Sequence, residues 1–216
     1  MIVYDYFRSS ASYRLRIALN LKGLTPERRF VHLVKGEQRG ADYRALNPQG
    51  FVPFLIDAAV TPHFSLSQSL AMIEYLDETY PDPPLLPASA EDRAVVRQIA
   101  QLIACDIHPL NNTRILSYLK NELQVDEAGR TKWYCRWIDE GFTALETMLV
   151  RRATASSFCV GETPTIADIC LVPQVTNANR FACSLDAFPT IMDIYHRAMA
   201  LPAFDLAQPS KQGDAE

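Results

Sequence analysis

A short β-rich run hands over to a helix near the start of this chain, and three serines sit on the join. Ile2-Val3-Tyr4-Asp5-Tyr6-Phe7 carries the β-branched and aromatic side chains of a strand. Leu15, Ala18, Leu19 and Lys22 then fall at helical spacing, and Gly23 follows as a stop. Ser9-Ser10-Ala11-Ser12 therefore opens a helix. Such a terminus offers unpaired N–H groups and about half a positive charge. It can hold an anion, and a thiolate brought by a ligand is one. The alternative is a serine-rich N-cap. This stretch alone leaves both readings open.

Further along, Arg29 to Leu33 reads as a second strand, Lys35 to Gly40 as a loop, and Ala41 to Leu46 as one or two helical turns. Asn47-Pro48 and Gln49-Gly50 mark turns ahead of a strand at Phe54 to Ile56. Pro53 precedes that strand, and a cis Val52-Pro53 bond there would turn the backbone of Val52 toward a ligand; a plain trans turn is the alternative. Ala58 to Phe64 reads as a fourth strand. Ser65 to Ser69 then opens a helix with Leu70, Ile73 and Leu76 on its apolar face. Ser69 and its neighbouring amides form a second candidate anion site; another N-cap is the alternative. The order β-α-β-(α)-β-β-α over residues 1–80 is compatible with a thioredoxin-like α/β domain. Redox members of that fold carry Cys-x-x-Cys at the first turn. With serines there instead, dithiol chemistry is ruled out, but a hydroxyl can still donate to a sulfur.

Pro81-Asp82-Pro83-Pro84-Leu85-Leu86-Pro87 reads as a stiff linker, so the domains are expected at 1–80 and 88–216. The second is expected to be all-helical. Val96, Ile99, Leu102 and Ile103 make one face, with a break expected at Pro109. Tyr134, Ile138, Phe142, Leu145 and Leu149 mark the next helix. Trp133 and Trp137 beside that face read as core. Thr165-x-x-Asp168 reads as a capping signal for a further helix, and Ile191 to Ala200 as the last one. Gln208 to Glu216 is a polar tail, expected to be mobile.

A net charge of −4 and a pI near 5.6, with no Lys/Arg run, argue against nucleic acid. No apolar stretch approaches a membrane span, and no signal peptide is evident, since the chain starts directly in a strand. The five scattered cysteines read as reduced thiols of a cytoplasmic protein. The four histidines show no metal-type pairing, so no metal is expected.

Together these residues resemble the zeta-class glutathione transferases, and within them the maleylacetoacetate and maleylpyruvate isomerases. The resemblance covers nearly the whole chain. Phe7 to Leu19 is similar to the class signature, usually written Ser-Ser-Cys-x-Trp-Arg-Val-Arg-Ile-Ala-Leu. Asn47-Pro48, Val52-Pro53, Gln68 to Leu76 and Ala167 to Val175 fit in the right order. The chain departs from the signature at Ala11, where many members have cysteine, and at Tyr13, where many have tryptophan. Ala11 puts inactivation by cysteine modification at this position in doubt.

The resemblance implies a thioredoxin-like N-terminal domain, an all-α C-terminal domain, a homodimer and glutathione as cofactor. It places the glutathione sulfur at Ser9 with Ser10 nearby, the cysteinyl backbone against Val52 beside a cis Pro53, and the γ-glutamyl carboxylate on Gln68 and Ser69. Gln38, His108, Asn112 and Thr113 align with further ligand contacts. The implied reaction is cis–trans isomerisation of a maleyl-type diketo acid to its fumaryl form. A thiolate adds to the alkene, charge moves to the conjugated carbonyl, the bond turns and the thiolate leaves. Ser9 and the helix dipole would lower the thiol pKa. Arg8, Arg114 and Arg180 are the candidates for the substrate carboxylates, because a guanidinium fork matches a carboxylate; surface arginines are the alternative. Arg14 and Arg16 read as structural. Two other readings stand beside this one: a broad transferase acting on electrophiles or small halo-acids, and an inactive binding module. The presence of Ser9, Gln68 and Ser69 ranks the module last.

Overall fold

The computed structural model describes residues 1–59, 64–152 and 156–216. Strand β1 (Ile2–Asp5) alternates half-buried and buried positions. It pairs in parallel with β2 (Glu27–Phe30) and antiparallel with β3 (Phe54–Ile56), which pairs with β4 (Ser65–Ser67). The sheet order is β2-β1-β3-β4. One face packs Val3 and Leu55 on Leu15 and Leu19 of α1 (Ser10–Leu21) and Met72 and Leu76 of α3 (Ser69–Thr79). Each fully buried side chain of this kind contributes roughly 1.5–3 kcal/mol. The other cluster gathers Tyr6, Phe7, Val31, Val52 and Phe54 around Tyr43 of α2 (Ala41–Leu46). Helix α1 ends as expected: Gly23 takes φ +66°, and the amides of Gly23 and Leu24 reach back to Asn20 and Leu19.

These elements belong to a first unit, Met1–Leu85, which also includes Leu201–Glu216; the second unit is Leu86–Ala200. The C-terminal segment therefore differs from the expected 88–216 division and from a mobile tail. It forms α9 (Pro202–Asp205) and a 3-10 turn at Pro209–Lys211. Arg16 Nε donates to Ala207 O at 2.9 Å, and Arg28 Nη1 to Gln212 Oε1 at 2.7 Å. The segment is ordered here because the buried Arg16 and the partly buried Arg28 need acceptors, and it supplies a main-chain carbonyl to one and a side-chain amide to the other. Two strand boundaries also shift. The second strand is Glu27–Phe30 rather than Arg29 to Leu33. The fourth is Ser65–Ser67, where a helix start was expected; residues 60–63 of the expected Ala58–Phe64 strand lie outside the described residues.

The regular elements of the second unit, among its described residues, are all helices: α4 (Ala90–Gln101), α5 (Thr113–Asn121), α6 (Glu127–Arg151), α7 (Ile166–Arg180) and α8 (Pro189–Met199). Between α4 and α5 the backbone widens into a π-helical turn, Leu102–Ile107, and tightens into a 3-10 turn, His108–Asn111, at Pro109. Thr165 and Asp168 form the expected capping box on α7. Asp168 also accepts from Cys159 N at 2.8 Å. Burial pushes this carboxyl's pKa up, against the hydrogen bonds that favour its charge.

The cysteines depart from the expectation of free thiols. Cys135 of α6 and Cys183, just beyond α7, have Cα atoms 5.2 Å apart and form a disulfide. Cys159 and Cys170 are free and buried, and Cys105 is free and exposed. No helix among the described residues is long and apolar enough to cross a membrane.

Candidate functional site

Ser9 is the N-cap of α1. Its φ and ψ of −71° and 120° are extended, and its Oγ accepts from Ser12 N at 3.2 Å. The N-cap and the candidate anion-binding residue are thus the same serine, and capping leaves its hydroxyl proton free to serve another acceptor. The Ser9 hydroxyl proton faces Val52 O at 3.4 Å. That is longer than an ordinary O–H···O bond, so the proton can turn to a better acceptor. Ser10 follows as the first helical residue and is buried. Val52-Pro53 is cis.

The turn before Val52 is held from within. Tyr43 Oη and Asn47 Nδ2 both donate to Phe51 O, at 2.6 and 2.9 Å. Burial raises the Tyr43 pKa to about 12, so it stays a donor. Gly50 has φ +64°, and a Cβ there would meet Gln38 O at 2.8 Å. This close approach requires glycine and brings Gln38 against the turn. Gln38 Nε2 donates to Leu33 O at 3.3 Å, while its Oε1 is buried without a hydrogen-bond partner among the described residues.

At the start of α3, Gln68 has φ +74° and ψ 113° and is exposed. A side chain other than glycine held there costs about 1–3 kcal/mol, and such strain gathers at binding sites. Ser69 is the first residue of the helix and is buried. Gln68 Nε2 donates to Gln49 Oε1 at 3.0 Å. Gln49 was not singled out from the sequence; no local pattern signals a pairing across 19 residues.

Arg8 Nη2 donates to Tyr6 Oη at 3.0 Å, and its guanidinium lies 4.8 Å from the Phe7 ring centre. That stacking keeps a cation one residue from Ser9 while leaving other donors of the fork unassigned. Arg16, expected to be structural, is buried on Asp5 at 3.0 Å. Burial lowers its pKa, and Asp5 opposes that shift. The first unit thus brings Ser9 and Val52 into contact, sets Gln38 against Gly50, and links Gln68 to Gln49.

In the second unit, His108 begins the 3-10 turn, and Asn112 caps α5 by accepting from Arg114 N at 3.0 Å. Thr113 and Arg114 are the first two residues of α5 and are exposed. These four candidates share one short stretch. Arg180 is the last residue of α7, exposed, with its guanidinium 5.6 Å from the Phe181 ring centre. Phe181 stacks on Tyr134 at 3.7 Å. Burial raises the pKa of Tyr134, and the charge of Arg180 acts in the opposite sense.

A family profile described as "Glutathione S-transferase, N-terminal domain" matches residues 8–79. The chain is 50% identical to a probable maleylacetoacetate isomerase of Vibrio cholerae, covering 100% of this chain and 98% of that one. A holo structure of maleyl pyruvate isomerase, a bacterial glutathione S-transferase of the zeta class, superposes with a TM-score of 0.96 at 45% identity, covering 100% of both chains. The structure of maleylacetoacetate isomerase from Methylobacterium extorquens AM1, with bound malonate and glutathione, has a TM-score of 0.95 at 36% identity, again covering 100% of both.

Proposed function

The chain belongs to the zeta-class glutathione transferases, and from that premise we propose that it is a glutathione-dependent isomerase converting maleylacetoacetate, or the shorter maleylpyruvate, to the fumaryl form. The observation that carries this reading is the Ser9 hydroxyl, fixed as a helix cap yet with its proton on a long, replaceable contact.

The first unit fits the cofactor. Ser9 and the helix start suit a sulfur anion. Val52 offers main-chain pairing. Gln68 and Ser69, with Gln49 behind them, suit a carboxylate, and the buried Gln38 Oε1 suits a donor. When bound, glutathione supplies a thiolate that adds to the substrate alkene, lets the bond turn and then leaves. Ser9 would hold its hydroxyl proton toward that sulfur and favour the charged form. Arg8 would hold negative charge beside it. Arg114 and Arg180 would bind carboxylates, and His108, Asn112 and Thr113 complete the proposed ligand contacts. The Methylobacterium relative holds malonate and glutathione together, and this supports a dicarboxylate acting beside the cofactor.

We further propose a cytoplasmic homodimer; sedimentation should give about twice the chain mass of 24.3 kDa. The test of function is maleylacetoacetate with glutathione well below stoichiometry. Many fumaryl products per glutathione support the isomerase. One glutathione lost per substrate indicates conjugation instead, and no conversion refutes both.

A further inference from the structure

We infer that Asp214 is a positioning residue for the Ser9 turn, an inference that rests on the thiolate role proposed for Ser9. Asp214 Oδ2 accepts from Phe7 N at 2.9 Å, two residues before Ser9. The carbonyl of the same residue accepts from Arg16 Nη2 at 3.0 Å. Tyr6 O accepts from Ser9 N at 3.0 Å and from Arg16 Nη1 at 3.4 Å. The backbone leading into the thiolate serine is therefore fastened at each of these groups, and one fastening comes from a residue 207 positions away.

The segment that presents Asp214 is itself built to stay in place. Gln212 is buried; its Nε2 donates to Leu206 O and Gln208 O at 2.9 and 2.7 Å, and its Oε1 accepts from Arg28. Arg28 also pairs with the buried Asp5, which holds Arg16. Two residues beyond Asp214, Glu216 Oε1 meets His32 Nε2 at 2.7 Å. His32 Nδ1 accepts from Lys35 N at 3.2 Å, so Nε2 carries the proton that Glu216 accepts. Residues 212–216 thus join the Ser9 turn to the loop that leads to Gln38.

A carboxylate close to an anion-binding turn opposes a bound thiolate by like charge. Its presence there is explained by what it holds. The Phe7 N–H lies just outside the helix, where α1 cannot satisfy it, and a charged acceptor fixes it better than a neutral one. The other oxygen of Asp214 is buried without a hydrogen-bond partner among the described residues, so the interaction with Phe7 N is the bond that accounts for this side chain.

The test compares wild type, Asp214→Asn and Asp214→Ala. It uses the thiol pKa of bound glutathione, kcat and KM. Asparagine keeps an acceptor and loses the charge. Positioning predicts that Asp214→Ala raises the thiol pKa and lowers kcat about tenfold, as for one lost charge-assisted hydrogen bond. The KM for glutathione should change little, and Asp214→Asn should fall between wild type and Asp214→Ala, because its amide oxygen still accepts from Phe7 N but without the charge. A lowered pKa in both variants would show that the residue acts through its charge, and no change in either would show no role; both overturn the inference. If Asp214→Ala does not fold, amide exchange in wild type decides: slow exchange at Phe7 is expected, and fast exchange overturns the inference. A wild-type complex without a lowered thiol pKa marks failure of the thiolate reading itself, which the Phe7 exchange result does not depend on.

Discussion

The Ser9 hydroxyl stands 3.4 Å from the carbonyl oxygen of Val52, so the start of α1 and the bend at Pro53 meet at one side chain. Two segments separated by 43 residues thereby face a common point. A sulfur placed there would compete with Val52 O for the Ser9 proton, and a thiolate would win, because charge strengthens a hydrogen bond roughly twofold.

Gln68 should govern affinity rather than rate. Gln68→Ala removes the side chain that Gln49 orients. It should weaken glutathione binding about five- to tenfold with kcat nearly unchanged. Gln68→Gly should lose the same affinity but melt higher than Gln68→Ala, since glycine takes φ +74° freely. Calorimetric titration with unchanged affinity in both variants would remove Gln68 from the site.

Arg114 is the candidate reader of the second carboxylate of a short dicarboxylate. Arg114→Ser should lower kcat/KM for maleylpyruvate about thirtyfold, for roughly 2 kcal/mol of charge-assisted bonding, and for maleylacetoacetate by less. Equal losses would move the source of preference to Arg180.

Much of this was legible in the sequence, for identifiable reasons. Ser9, Pro53 and Ser69 lie where a change of periodicity or a proline marks a chain turn, and local pattern is enough to find them. Thr165 and Asp168 carry their partnership in their spacing. Gln49 and Asp214 left no such trace, because each acts on a segment brought near only by folding. The Cys135–Cys183 pairing spans 48 residues, and spacing alone does not encode it. The ordered C-terminal segment was missed for a similar reason: the main-chain carbonyl of Ala207 answers the buried Arg16 and the Gln212 side chain answers the partly buried Arg28, and nothing local in the segment announces either partner.

Gly141 marks close packing in the helical unit. A Cβ there would overlap Cδ1 and Cγ1 of Ile107, which is 2% exposed. Alanine normally stabilises a helix by about 1 kcal/mol over glycine. Here overpacking should outweigh that gain, so Gly141→Ala should destabilise by about 1–3 kcal/mol. A thermal melt with raised Tm would show that the π-helical turn yields readily.

The disulfide predicts a thiol count and a stability difference. Unfolded wild type should titrate three thiols without reductant and five with it. Cys183→Ser should cost about 2–4 kcal/mol, and reductant should then have little further effect on its Tm. Five thiols without reductant would contradict the pairing.

Titrating glutathione bound to wild type and to Ser9→Ala tests most directly whether Ser9 stabilises a thiolate. Thiolate absorbance should rise at lower pH in wild type than in free glutathione. Ser9→Ala should return the pKa toward the free value and lower kcat about ten- to a hundredfold, as for roughly 1.5–3 kcal/mol of hydrogen bonding to a charged group, with glutathione affinity little changed. The same pKa in both proteins would contradict the claim and pass the role to Ser10 or a backbone amide of α1.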